Sequence, residues 1–89
     1  MQAKYYRGVS KQRKAELKVI YDDARKIGEN DFALGRTSVP VHSPDYCEFE
    51  KGLSKEIGQY EVIAALDGWA NGWHTANANA AWEDFENEQ

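Results

Sequence analysis

The chain has 89 residues, is 42% hydrophobic and 29% charged, and carries a net charge of −4. That length suits one small domain, and the balance of apolar and charged residues describes a folded, soluble chain rather than a disordered one. A single cysteine, Cys47, excludes a disulfide framework and points to a reducing compartment, the cytoplasm; no apolar run approaches the roughly 18 residues of a membrane span, and the N-terminus has no apolar stretch of a secretory signal.

Residues 1–9 show no periodicity, although Tyr5 and Tyr6 are suited to packing on a domain. Ser10 is a candidate N-cap. Beyond it Leu17, Ile20, Tyr21, Ala24 and Ile27 recur at three- and four-residue steps, the stripe of an amphipathic helix. The stripe continues through Gly28 and Phe32, so the helix is expected to run to Leu34 and close at Gly35. Residues 36–42 read as a loop, because Pro40 disfavours helix in the residues before it. Ser43-Pro44-Asp45 is a helix start: a hydroxyl cap, proline at the first position and an acid in the first turn. Tyr46, Phe49 and Leu53 form its short apolar stripe, with Gly52 ending or bending the helix.

Ser54 with Glu56 restarts or continues helix through Ile57, Tyr60, Ile63, Ala64 and Leu66. At about 100° per residue, Ile57, Tyr60 and Ala64 point roughly opposite to Trp69, Trp73 and Ala76. The helix therefore either breaks near Gly68 or buries two sides, and the two-sided helix is the expectation. Residues 77–85 are weakly helical and the acidic end, from Glu86, should fray. The fold class is all-α, a single domain over 1–89 built as a small bundle of three to four helices. The first helix should pack on the Gly-Trp helix by matching Leu17, Ile20, Ala24 and Ile27 to Leu66, Trp69 and Trp73.

Two Gly-Trp pairs, Gly68-Trp69 and Gly72-Trp73, sit four residues apart. Each helical glycine costs about 1 kcal/mol against alanine, so these glycines should admit something close: another helix, a backbone or a flat ring. Internal packing is the commoner use of such a segment. A contact surface formed by Trp69, Gly72 and Trp73 is the alternative, since three tryptophans in so small a chain exceed what a core requires.

This segment also carries a family resemblance. Gln59-Tyr60-Glu61, then Ala65-Leu66-Asp67-Gly68-Trp69 and Gly72-Trp73, resembles the C-terminal signature of the ribosome modulation factor family. Upstream, Ala24, Gly28, Ala33 and Gly35-Arg36, followed by the prolines Pro40 and Pro44, resemble the family's first half. The resemblance covers about residues 20–76. It implies a cytoplasmic, ribosome-associated modulator of translation that touches rRNA or ribosomal proteins. The chain departs from the family's best-known members in being acidic and in being longer at both ends.

Charge is unevenly distributed. Residues 1–40 hold nine Lys and Arg against five carboxylates, a balance of +4, and residues 41–89 hold two against ten, a balance of −8. Lys11, Arg13, Lys14 and Lys18, with Lys4, Arg7 and the two tyrosines before them, form a candidate RNA-binding face, to which Arg36 is added. Glu16, Asp22 and Asp23 dilute it, and a solvated helix face gives the same pattern. The acidic half, with Glu48, Glu50 and Glu56 at its centre, supports another reading: a small inhibitor or adaptor, of the sort a phage encodes, that occupies a basic protein groove. Attraction between the two halves of the chain, or ordinary solubility, accounts for the same charges.

Nothing in the sequence supports catalysis. Cys47 with His42 or His74 and an Asp can be drawn as a nucleophilic set, but Asp45, Glu48 and Glu50 oppose a thiolate, and a small apolar role for Cys47 is the expectation. The spacing of His42, Asp45 and Cys47 matches no zinc motif. The expectation is a binding protein without catalytic residues, metal, cofactor, small-molecule substrate or membrane association.

Overall fold

The computed structural model describes residues 9–54 and 58–87. They form three α-helices, α1 (Lys11–Ala33), α2 (Pro44–Lys51) and α3 (Gln59–Asn87), with a 3-10 turn at Pro40–His42. This is a small all-α bundle, and no strand occurs among the described residues. Among those residues no helix is long and apolar enough to cross a membrane.

The helix ends follow from local chemistry. Ser10 caps α1, its hydroxyl accepting from the Arg13 N–H. The other end closes at Gly35, whose φ of 77° is free to glycine and costly to other residues. There the Arg36 N–H donates to the Asp31 carbonyl and the Gly35 N–H to the Phe32 carbonyl, which uses carbonyls the helix leaves open. Ser43 caps α2 through the Tyr46 N–H, with Pro44 as first residue, and Gly52 ends that helix.

One expectation fails at the next junction. Gly58 has a φ of 73°, so no helix runs through it, and α3 begins at Gln59. Ile57 and Glu56 lie outside the described residues.

The core sits between α1 and α3, which run parallel. Gly68 faces the Tyr21 carbonyl, Gly72 faces that of Arg25, and Gly28 faces the backbone of Trp69 and Trp73, so the residue numbers rise together. Residues 34–54 carry the chain back towards the starting end, where Leu53 and Ser54 lie near Arg13 and Glu16, with α2 laid across the seam. Tyr46 packs with Ala24, Ala65 and Trp69, and Phe49 and Leu53 cover the same cluster. A second cluster, Leu17 and Ala64 flanked by Val9, Ile20, Tyr60 and Ile63, lies towards the N-terminal ends.

The expected two-sided burial is not found: α3 runs unbroken through Gly68 and is buried along one side. The buried residues of α3 are Glu61, Ala64, Ala65, Gly68, Trp69 and Gly72. At 100° per residue these fall within about 140° of one another, a single broad stripe. Leu66, matched to α1 together with Trp69 and Trp73, is 40% exposed, and the stripe is made largely of small residues. The helix extends to Asn87; Glu88 and Gln89, the rest of the end expected to fray, lie outside the described residues.

Candidate functional site

Three glycines set the seam. A Cβ built on Gly72 would lie 2.0 Å from the Arg25 carbonyl oxygen, one on Gly68 2.2 Å from that of Tyr21, and one on Gly28 2.1 Å from that of Trp69. Each glycine thus seats on the neighbouring helix's backbone. The close approach that Gly68 and Gly72 suggest in sequence is satisfied inside the chain.

At the far end of the seam lies a buried carboxylate. Asp31 is fully buried on the last turn of α1. Its Oδ2 accepts from the Trp69 indole N–H at 2.7 Å and its Oδ1 from the Arg36 guanidinium at 2.7 Å. The Ser43 hydroxyl supplies a further hydrogen bond. A buried charge is tolerated only when its lone pairs are filled, and here three donors from three segments fill them. Burial raises the Asp31 carboxyl, but the hydrogen bonds from Ser43, Trp69 and Arg36, with the Arg36 charge, outweigh it and hold the group below its ordinary value. Arg36 also reaches the Asp45 carboxylate at 2.7 Å, and the Trp73 indole N–H donates to the Arg36 carbonyl at 3.1 Å. Gly35-Arg36 and the two Gly-Trp pairs therefore meet in one network that ties the end of α1 to α2 and α3. Beside it Tyr46 is buried, and burial with the nearby Glu50 carboxylate raises its phenol well above the ordinary value.

This geometry redistributes the residues expected to bind a partner. Trp69 is 1% exposed and Gly72 is buried, so neither presents a surface. Trp73 is half-buried, edge-on to Phe32 with ring centroids 5.3 Å apart. Arg36 is committed to Asp31 and Asp45 rather than offered to phosphate. Among the acids, Glu48 is exposed, Glu50 is half-buried, and Glu56 lies outside the described residues.

The cations of α1 divide. Arg13 pairs with Glu16 at 3.0 Å and Lys18 with Asp22 at 2.7 Å, each within one turn. Hydrogen bonding and charge from Lys18 hold the Asp22 carboxyl below its ordinary value. Lys11 and Lys14 are exposed and meet no carboxylate among the described residues. Lys4, Arg7, Tyr5 and Tyr6, the proposed lead-in, lie outside the described residues.

Parallel packing separates the charges. Gly68 opposite Tyr21 and Gly72 opposite Arg25 give a constant register, which sets Lys11 level with Gly58. Glu83 lies 25 residues beyond Gly58, or about 37 Å at 1.5 Å per residue. The longest extent of the molecule is 49 Å. The basic start of α1 and the acidic end of α3 therefore occupy opposite ends and do not pair with each other, while the two halves of the chain meet in the Arg36–Asp45 ion pair.

Among the described residues no three His, Cys, Asp or Glu side chains group as metal ligands. His42 Nδ1 lies 3.1 Å from the Thr37 hydroxyl, the Cys47 thiol is directed at the Val41 carbonyl at 3.5 Å, and His74 packs edge-on to Trp73. Comparison with known families, curated proteins and solved structures gives no match.

Proposed function

We propose that the chain is a small, non-enzymatic regulatory binding protein of the ribosome-modulating type, which contacts rRNA through the basic end of α1. One observation carries this reading: Lys11 and Lys14 project from the first turn of α1 with no carboxylate partner among the described residues, at the end opposite the acidic terminus of α3. Lys18 adds to them, since an exposed pair within one helix turn is weak and screened by salt. The resemblance to ribosome modulation factors supports the same direction. The residues that carry it, Gly28, Gly35-Arg36, Gly68-Trp69 and Gly72-Trp73, account for the seam and the Asp31 network, so the contact surface belongs to other residues.

The test is binding to purified ribosomes across a salt series. Lys11→Glu with Lys14→Glu should weaken binding strongly and lower the slope of log affinity against log salt by roughly 1.5 to 2, because each lost phosphate contact releases fewer counterions. The unfolding midpoint should be retained, as both side chains lie outside the seam. Unchanged affinity and slope in the double variant would defeat the RNA reading. The second reading, an acidic inhibitor or adaptor on a basic protein, is favoured by the absence of any Lys or Arg from α3. Capture of one basic protein in place of ribosomes would move it ahead.

A further inference from the structure

α3 outruns the helix it packs on. In the register set by Gly68 and Gly72, the last residue of α1, Ala33, stands level with about Ala80. The seven residues from Ala81 to the helix end at Asn87 extend roughly 10 Å further. Of residues 77–87, Ala80 alone is half-buried and the others are exposed. Trp82 is 61% exposed and Phe85 51%, and the two rings stack with centroids 5.4 Å apart and 26° between their planes.

The direction of this face is fixed by helix geometry. Ala78, Ala81, Trp82 and Phe85 fall within about 100° of one another, while Ala76 and Ala80, the half-buried pair, lie roughly opposite. The aromatic face therefore points away from the body of the molecule. Asp84 and Glu86 flank it on either side, while Glu83 lies towards the opposite face, and α3 carries no lysine or arginine along its length. An aromatic pair held on a projecting helix is the form of a side-chain anchor for a groove, read at i and i+3 spacing.

We infer that the projecting end of α3 is a docking element for an apolar groove rimmed by Lys and Arg on another protein. Charge decides the occupant. The two carboxylates beside the rings, with no cation on the helix, repel nucleic acid and anionic lipid. A second copy meeting face to face would gather four carboxylates about one contact. A basic rim neutralises the same groups while Trp82 and Phe85 enter the groove. The inference is independent of the RNA reading, which concerns the opposite end of the molecule.

The test places p-benzoylphenylalanine at position 81 of the full chain, in place of Ala81, so that both anchors remain. Irradiation in lysate of cells expressing the chain should join it to one protein, and mass spectrometry of the linked peptide should place the link in an apolar groove flanked by Lys or Arg. Trp82→Ala with Phe85→Ala should reduce the yield at least tenfold, and so should Asp84→Lys with Glu86→Lys. The unfolding midpoint of each variant should match the parent, since none of these residues touches the seam. Ribosome binding should persist in both double variants, which separates failure here from failure of the RNA reading. The inference is overturned by the absence of a link, by a link to a second copy, RNA or lipid, or by a link that survives charge reversal.

Discussion

Gly72→Ala is expected to destabilise the chain by about 3 kcal/mol, while Gly52→Ala leaves stability unchanged or raises it slightly. Inside α3, alanine gains about 1 kcal/mol of helix propensity over glycine. At Gly72 that gain is overwhelmed, because the new methyl would sit 2.0 Å from the Arg25 carbonyl oxygen. The oxygen belongs to a helix backbone and cannot rotate aside. α1 and α3 must separate, and the contacts of Leu17, Ala24, Ala64 and Ala65 loosen together. At Gly52 the nearest atom to the added methyl is 3.6 Å away, ordinary contact, and the residue is already in right-handed helical backbone. Total stability for a domain of this size is about 4–13 kcal/mol, so combining Gly68→Ala with Gly72→Ala should leave much of the chain unfolded. Urea titration followed by circular dichroism gives the comparison. Equal midpoints for Gly72→Ala and Gly52→Ala would refute the close seam.

Asp31→Ala should cost about 3 kcal/mol, comparable to a core truncation, because it strands buried donors that all face one carboxylate. Asp31→Asn should cost less, keeping the shape and part of the hydrogen bonding. The pH dependence follows from the direction of the shift. The folded carboxyl is held below its ordinary value of 3.8. Its contribution is therefore complete above the unfolded value and is lost as pH falls through the folded one. The parent should lose stability progressively below about pH 4, and Asp31→Asn should lose less across that window. Identical pH profiles would show that Asp31 is not the charged centre of the network.

What the sequence discloses here is chemistry that acts within a few residues. Ser10, Gly35 and Ser43-Pro44 mark helix ends because capping is a contact between near neighbours. The packing of α1 on α3 is legible from the stripe on α1, but its partner stripe is not. Leu66 belongs by spacing with Trp69 and Trp73, yet Ala64, Ala65, Gly68 and Gly72 line the interface beside Trp69, since the helices approach closely enough at the glycines to meet backbone to backbone. Asp31 counts as one more surface charge in sequence. Its burial depends on Trp69, 38 residues away, and on Ser43, and no local pattern carries that information. The same distance effect reassigns Arg36 from a phosphate cation to a structural ion pair. Trp82 and Phe85 are hard to single out because their exposure depends on where α1 stops, a fact about a different part of the chain.

The central claim is that the Gly-Trp segment is interior scaffold and that partner contact belongs to the ends of the molecule. Hydrogen exchange of the three indole N–H groups, followed by NMR in deuterated buffer, tests it most directly. Trp69, buried and bonded to Asp31, should exchange only on global unfolding, whereas Trp82 should exchange almost at once and Trp73, half-buried on the Arg36 carbonyl, between them. A Trp69 indole that exchanges as fast as that of Trp82 would contradict the account and return the Gly-Trp segment to the surface.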